Sequence, residues 1–249
     1  CLSLGLILEE GFPLNDLERV VKSIAECCKS AGVPIVTGDT KVVPKGKCDK
    51  IFINTSGIGI VAEGVSISSN QAKDGDCLLL SGSIGDHGIT IMSRRAGIGL
   101  EGGLASDSAA LHTLVALLLE RLPPGSVHVL RDPTRGGVAT SLQEIAEASG
   151  VMMEIIEQDI PIHKEVQAAC EIMGLDPLYL ANEGKCLVWV DASVAKQALQ
   201  LMRSTSVGKE SAIIGRVRAG EAGRVVLQTG IGGSRIITPL HGEPLPRIC

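Results

Sequence analysis

The chain has 249 residues, a formal net charge of −5 at pH 7, 45% hydrophobic residues and only 2% aromatics. Such a length suffices for one large or two small domains, with a core that Leu, Ile, Val and Ala must fill. The acidic balance, with no basic stripe carrying aromatics, argues against nucleic-acid binding, and no apolar run reaches the roughly 18 residues of a membrane span.

Residues 2–8 read as a buried strand. Asn15 or Asp16 is placed to cap a helix running to about Ala31, with apolar positions at Leu17, Val20, Val21, Ile24 and Ala25 and with Gly32 as its stop. Residues 33–37 form a short strand that delivers Gly38-Asp39-Thr40-Lys41 as a loop. A strand region over 50–61 is interrupted by Gly57 and Gly59, and the polar, serine-rich stretch 63–73 marks a boundary. Beyond it come a strand at 76–81, a glycine loop at 82–88 and helices at 89–96 and 106–122. A strand at 127–130 then leads through the loop 132–137 into a helix at 138–148. A strand at 152–156, a helix at 163–173 ending at Gly174, a strand at 186–190, a helix at 193–204 and strands at 212–217 and 224–228 complete the reading. Strands alternate with helices, so the expected class is α/β or α+β in two units.

Cysteine occurs eight times without a C-x-x-C pair, which points to reduced thiols in a cytoplasmic protein rather than a disulfide framework or a zinc site. Cys1 opens the chain without an initiator Met or the basic segment of a signal peptide, so further sequence is expected upstream. The other end is Pro246-Arg247-Ile248-Cys249, reached through a segment with three prolines. A terminal thiol is exposed to oxidation and contributes little to a core. Stretched out, the eleven residues from Pro239 span roughly 35–40 Å. The segment reads either as a frayed end or as an arm that carries a thiol between sites.

Four internal loops hold residue types that do chemistry. Gly38-Asp39-Thr40-Lys41 combines a permissive backbone with a carboxylate and a point charge suited to phosphate or to acid–base work, or is a polar turn. Its spacing is not that of a P-loop. Ser81-Gly82-Ser83-Ile84-Gly85-Asp86-His87-Gly88 is a helix-initiating glycine loop suited to anions, in which His87 by itself reads as a satisfied loop histidine sooner than as a catalyst. Asp132-Pro133-Thr134-Arg135-Gly136-Gly137 sets a carboxylate and a guanidinium before a helix, so that metal on Asp132, Arg135 and the helix terminus can hold phosphate, or is an Asp-Pro turn with a surface Arg. Ala181-Asn182-Glu183-Gly184-Lys185 places Glu183 at the mouth of an apolar strand, where desolvation can raise a carboxyl pKa and make a base, or is a solvated Glu-Gly turn. His163 and His241 read as surface residues.

Together these loops and the terminal Pro-Arg-Ile-Cys resemble the HypE hydrogenase maturation proteins over essentially the whole chain. The resemblance implies a fold of the aminoimidazole ribonucleotide synthetase and selenophosphate synthetase superfamily. It would comprise a partial N-terminal ATP-binding and dimerising domain at 1–66, an α/β domain at 67–236 and a mobile tail at 237–249. It also implies ATP-dependent dehydration of a carbamoyl group on Cys249 to a thiocyanate. The carbamoyltransferase HypF would load the group, and the HypC–HypD complex would receive the cyano group for the nickel–iron centre. Lys41 would orient or stabilise the activated amide, Glu183 would be the base, and Gly38, Asp39 and Thr40 would touch nucleotide. Asp132 would bind Mg2+, while Arg135, Gly136 and His87 are assigned to the phosphates. Full-length relatives carry acidic metal- and nucleotide-binding segments upstream, so the first domain is expected to be incomplete and these 249 residues alone to bind ATP weakly or not at all. Two other readings stay open: another synthetase of the superfamily, and a carrier module whose thiol is modified elsewhere.

Overall fold

The computed structural model describes residues 1–97 and 103–239. The chain divides into two units, Cys1–Glu63 and Gly64–Cys249. In the first, β1 (Leu2–Glu9), α1 (Leu14–Ala31), β2 (Ile35–Val43) and β3 (Ile51–Gly57) form a three-stranded sheet in the order β2-β1-β3, with one helix. The parallel β1–β2 pair is joined by α1 and the antiparallel β1–β3 pair follows. Alternation governs β1: Leu6 and Leu8 are buried, whereas Ile7 between them is 41% exposed.

Two details of this unit differ from expectation. α1 is capped by Pro13 rather than by Asn15 or Asp16, because the Asp16 and Leu17 amides both donate to the Pro13 carbonyl at 3.1 Å. Asp16 instead lies in the first turn, where its charge suits the positive helix end, and accepts from Arg19 at 3.1 Å. The residues expected as a loop, Gly38–Lys41, continue β2. The long β1 supplies a partner for each, pairing Leu4, Gly5, Leu6 and Ile7 with Gly38, Asp39, Thr40 and Lys41. Glycine is required at 38 by this close pairing, since a Cβ there would overlap the Leu4 carbonyl oxygen.

The second unit contains β4 (Cys77–Leu80), α2 (Asp86–Ala96), α3 (His112–Arg121), β5 (Val127–Arg131), α4 (Gly137–Ser149), β6 (Met152–Ile156), α5 (Lys164–Met173), β7 (Leu187–Val190), α6 (Ala195–Ser204), β8 (Ala212–Arg218), β9 (Val225–Gln228) and β10 (Ser234–Ile237). Its seven strands are ordered β10-β9-β6-β8-β4-β7-β5, and every neighbouring pair is antiparallel except β6–β9. The period of two along β4 separates two cores. Leu78 and Leu80 pack with Trp189, Leu142 and Ile145, which puts α4 on one face. Leu79 packs with Leu114, Leu118, Ala198 and Met202, which puts α3 and α6 on the other. A third cluster joins α2 to α5 through Ile89, Val166, Cys170 and Leu180. The helix expected from Ser106 begins only at His112, and β10 was not foreseen. No helix among the described residues is long and apolar enough to cross a membrane.

Candidate active site

Strand register brings three loops to one edge of the large sheet. Leu187, the first residue of β7, pairs with Leu80 at the end of β4 on one side and with Arg131 at the end of β5 on the other. The segments after Leu80, after Arg131 and before Leu187 therefore leave the sheet together. They are the glycine loop at 81–85, the Asp132–Gly136 loop and the Ala181–Cys186 loop.

One buried side chain ties the three. Asn182 is 1% exposed. Its Oδ1 accepts from the Gly85 amide at 2.8 Å, and its Nδ2 donates to the Pro133 and Leu180 carbonyls at 3.0 Å each. Its own amide donates to Pro133 at 3.2 Å. Ser81 makes a second link, donating its amide to the Cys186 carbonyl at 3.0 Å while its hydroxyl accepts from the Cys186 amide at 2.9 Å. Burial pushes the Cys186 thiol up to about 12, despite a hydrogen bond from the Arg131 backbone that acts the other way.

A fourth segment, 106–108, closes over the cluster. The Asp107 carboxylate accepts from the Glu183 amide at 3.0 Å, and its other oxygen lies 3.3 Å from Lys185 Nζ. The chains approach so closely that a Cβ on Gly184 would overlap the Asp107 carbonyl. Next to it, Ser106 Oγ shares a 2.8 Å hydrogen bond with His87 Nδ1. These contacts hold Ser106 and Asp107 outside α3, which begins at His112.

Glu183 has the properties of a base. Its Oε1 is buried without a hydrogen-bond partner. Burial raises its pKa above the usual carboxylate range; the nearby His87 acts against this, and the charges of Asp107 and Asp132 add to it. A carboxylate so shifted takes up a proton more readily near neutral pH. His87, 8% exposed, also has a buried atom without a partner, Nε2.

Asp132 and Arg135 are exposed, beside Gly136 with a φ of 74°. Asp132 Oδ1 stands 3.7 Å from an Arg131 guanidinium that also holds Glu144 at 2.9 Å. Among the described residues no group of three His, Cys, Asp or Glu side chains can hold a metal. A single exposed carboxylate still fits Mg2+ that takes its other ligands from phosphate and water.

Gly38, Asp39, Thr40 and Lys41 lie on β2 of the first unit, where Asp39 Oδ1 accepts from the Thr40 amide at 2.9 Å. Cys249 and His241 lie outside the described residues. His163 is more than the surface residue expected. Its Nδ1 lies 2.9 Å from Asp86 Oδ1 and its Nε2 3.3 Å from Glu210 Oε1, while Asp86 also accepts from Ser83 Oγ. Burial disfavours the imidazolium, but the hydrogen bonds and charges of Asp86 and Glu210 outweigh it and raise the His163 pKa above 6.5. Sequence reasoning missed Asn182, Ser106 and Asp107 as organising residues. The run Ser106-Asp107-Ser108 carried a signal, because such side chains compete with helix formation.

This fold and loop cluster belong to the AIR synthase related class: its N-terminal domain matches residues 1–61 and its C-terminal domain residues 73–228. Carbamoyl dehydratase HypE of Azotobacter vinelandii is 54% identical over 248 residues, covering 100% of this chain and 72% of that protein. A crystal structure of hydrogenase maturation protein HypE in complex with ATP superposes with a TM-score of 0.94 at 47% identity, over 100% of this chain and 75% of that one. A HypE–HypF complex matches with a TM-score of 0.92 at 48% identity, over 96% and 77%. The chain belongs to the HypE family, the carbamoyl dehydratases of hydrogenase maturation.

Proposed function

We propose that the chain performs the ATP-dependent dehydration of a carbamoyl group carried on Cys249, leaving a thiocyanate that supplies cyanide to the nickel–iron hydrogenase centre. The observation that carries this reading is Glu183, a carboxylate whose buried Oε1 has no partner and whose pKa is raised. An amide oxygen leaves poorly, so ATP converts it to a phosphate ester, and a base must remove protons from nitrogen. Glu183 takes that role. Lys41 orients the amide and stabilises charge on it. Gly38, Asp39 and Thr40 contact nucleotide, whereas Arg135, Gly136 and His87 serve the phosphates. Asp132 contributes one carboxylate ligand to Mg2+, whose chemistry is to neutralise triphosphate charge.

The HypE structure in complex with ATP and the HypE–HypF complex support ATP as ligand and HypF as partner, and we assign HypF as the donor of the carbamoyl group. We assign the HypC–HypD complex as acceptor, a homodimer as the working form and the cytoplasm as the compartment. The test is intact-mass spectrometry of the protein with HypF, carbamoyl phosphate and ATP. Cys249 should gain the mass of a carbamoyl group and then lose that of one water; Glu183→Gln should stop at the first adduct. An adduct on any other residue would overturn the reading.

A further inference from the structure

Turning a carbamoyl group into a cyano group strips two protons from one nitrogen, and Glu183 is a single carboxylate. The structure offers a second acceptor beside it. His87 Nε2 and Glu183 Oε1 are both buried and both lack a hydrogen-bond partner. They are fixed by consecutive residues: Ser106 holds the His87 ring at 2.8 Å and Asp107 holds the Glu183 amide at 3.0 Å. A buried polar atom left without a partner keeps the full cost of its lost hydration. Two such atoms on neighbouring groups in one well-packed cluster point to a polar ligand that satisfies both.

Ser106 is itself oriented. Its Oγ accepts from the Ser108 amide at 3.2 Å and shares a hydrogen bond with Ser108 Oγ at 2.9 Å. A hydroxyl that donates to Ser108 has a lone pair left for His87 Nδ1–H, and that tautomer leaves Nε2 as an acceptor.

We propose that His87 is the second proton acceptor of the dehydration, with Ser106 as its positioning residue; this rests on the dehydratase reading above. In the first step the carbamoyl oxygen forms a bond to the γ-phosphorus, the bridging P–O bond breaks toward ADP, and one N–H proton passes to Glu183. In the second, the remaining N–H proton passes to His87 Nε2 and its electron pair completes the C≡N bond. The C–O bond breaks, and its electrons leave on phosphate. The imidazolium returns its proton to the departing phosphate, which is also why His87 serves the phosphate side.

The test is a single turnover of carbamoylated protein with ATP, following ADP release and, by intact mass, nitrile formation on Cys249. In His87→Gln, ADP release should persist while nitrile yield falls by about 10²-fold. Water then returns the phosphorylated adduct to the carbamoyl form, so ATP hydrolysis is uncoupled from dehydration. Ser106→Ala, a change at an exposed residue, should give a weaker uncoupling of the same kind. A merely structural role would lower ADP and nitrile together. An unchanged ratio of ADP to nitrile in both variants, or parallel loss of the two products, overturns the assignment. A wild-type protein that forms no nitrile from carbamoylated Cys249 overturns instead the dehydratase reading beneath it.

Discussion

The two units solve the same problem with very different burial. In the second, a seven-stranded sheet lies between helices, and Leu78, Leu79, Leu80 and Trp189 are fully enclosed. In the first, α1 has no buried residue, and Leu6 and Leu8 are the buried side chains of a sheet that exposes Val36, Val42 and Phe52. The difference bears on chemistry. Burial shifts Glu183 and silences Cys186 in the second unit. The chemistry proposed for the first unit relies on Lys41, exposed on β2, a point charge suited to phosphate or an activated amide.

The largest expected effect tests that contrast directly. Trp189→Ala should cost about 3–5 kcal/mol in urea unfolding followed by circular dichroism. Val21→Ala on α1, 44% exposed, should stay within about 0.5 kcal/mol. Comparable losses at the two positions would end the comparison. A smaller effect is expected at the site: Asn182→Ala removes the partners of the Gly85 amide and of the Pro133 and Leu180 carbonyls, and should lower stability by about 1–3 kcal/mol. Loss of dehydration with binding of ATP unchanged would show that these loops can be separated, against the linkage described here.

The smallest concerns His163. Its folded pKa lies above 6.5, so the folded state binds the proton more tightly than the unfolded state does. The stability it contributes is complete below pH 6.5 and is lost as pH rises through the folded value. Its 41% exposed side chain keeps the amount under about 1 kcal/mol. Thermal denaturation across that range should show a downward slope that His163→Gln removes; a slope that survives the substitution places the titration elsewhere.

Elements with a local cause were legible in the sequence. β6 was read with its observed ends from an apolar run, and α1 and α5 end where Gly32 and Gly174 adopt left-handed φ values of 67° and 65°. The glycine and acidic loops were legible as loops at strand ends because their residue types are unusual within strands. What failed has long-range causes. Gly38–Lys41 look like turn residues, yet β1 pairs with every one of them. Ser106 and Asp107 look like the start of a helix, yet their side chains are held by His87, Glu183 and Lys185. Asn182 bonds to residues 97 and 49 positions away, a relation that no local spacing carries.

The enclosed thiol of Cys186 has a consequence for fidelity. Under the proposed dehydration, which builds an electrophilic carbon on the Cys249 sulfur, that carbon has to be kept from migrating to another thiol. Burial pushes the Cys186 thiol up to about 12, which disfavours its thiolate at neutral pH. The cysteine that anchors the loops is therefore a poor rival for the cyano group, because packing withholds its thiolate.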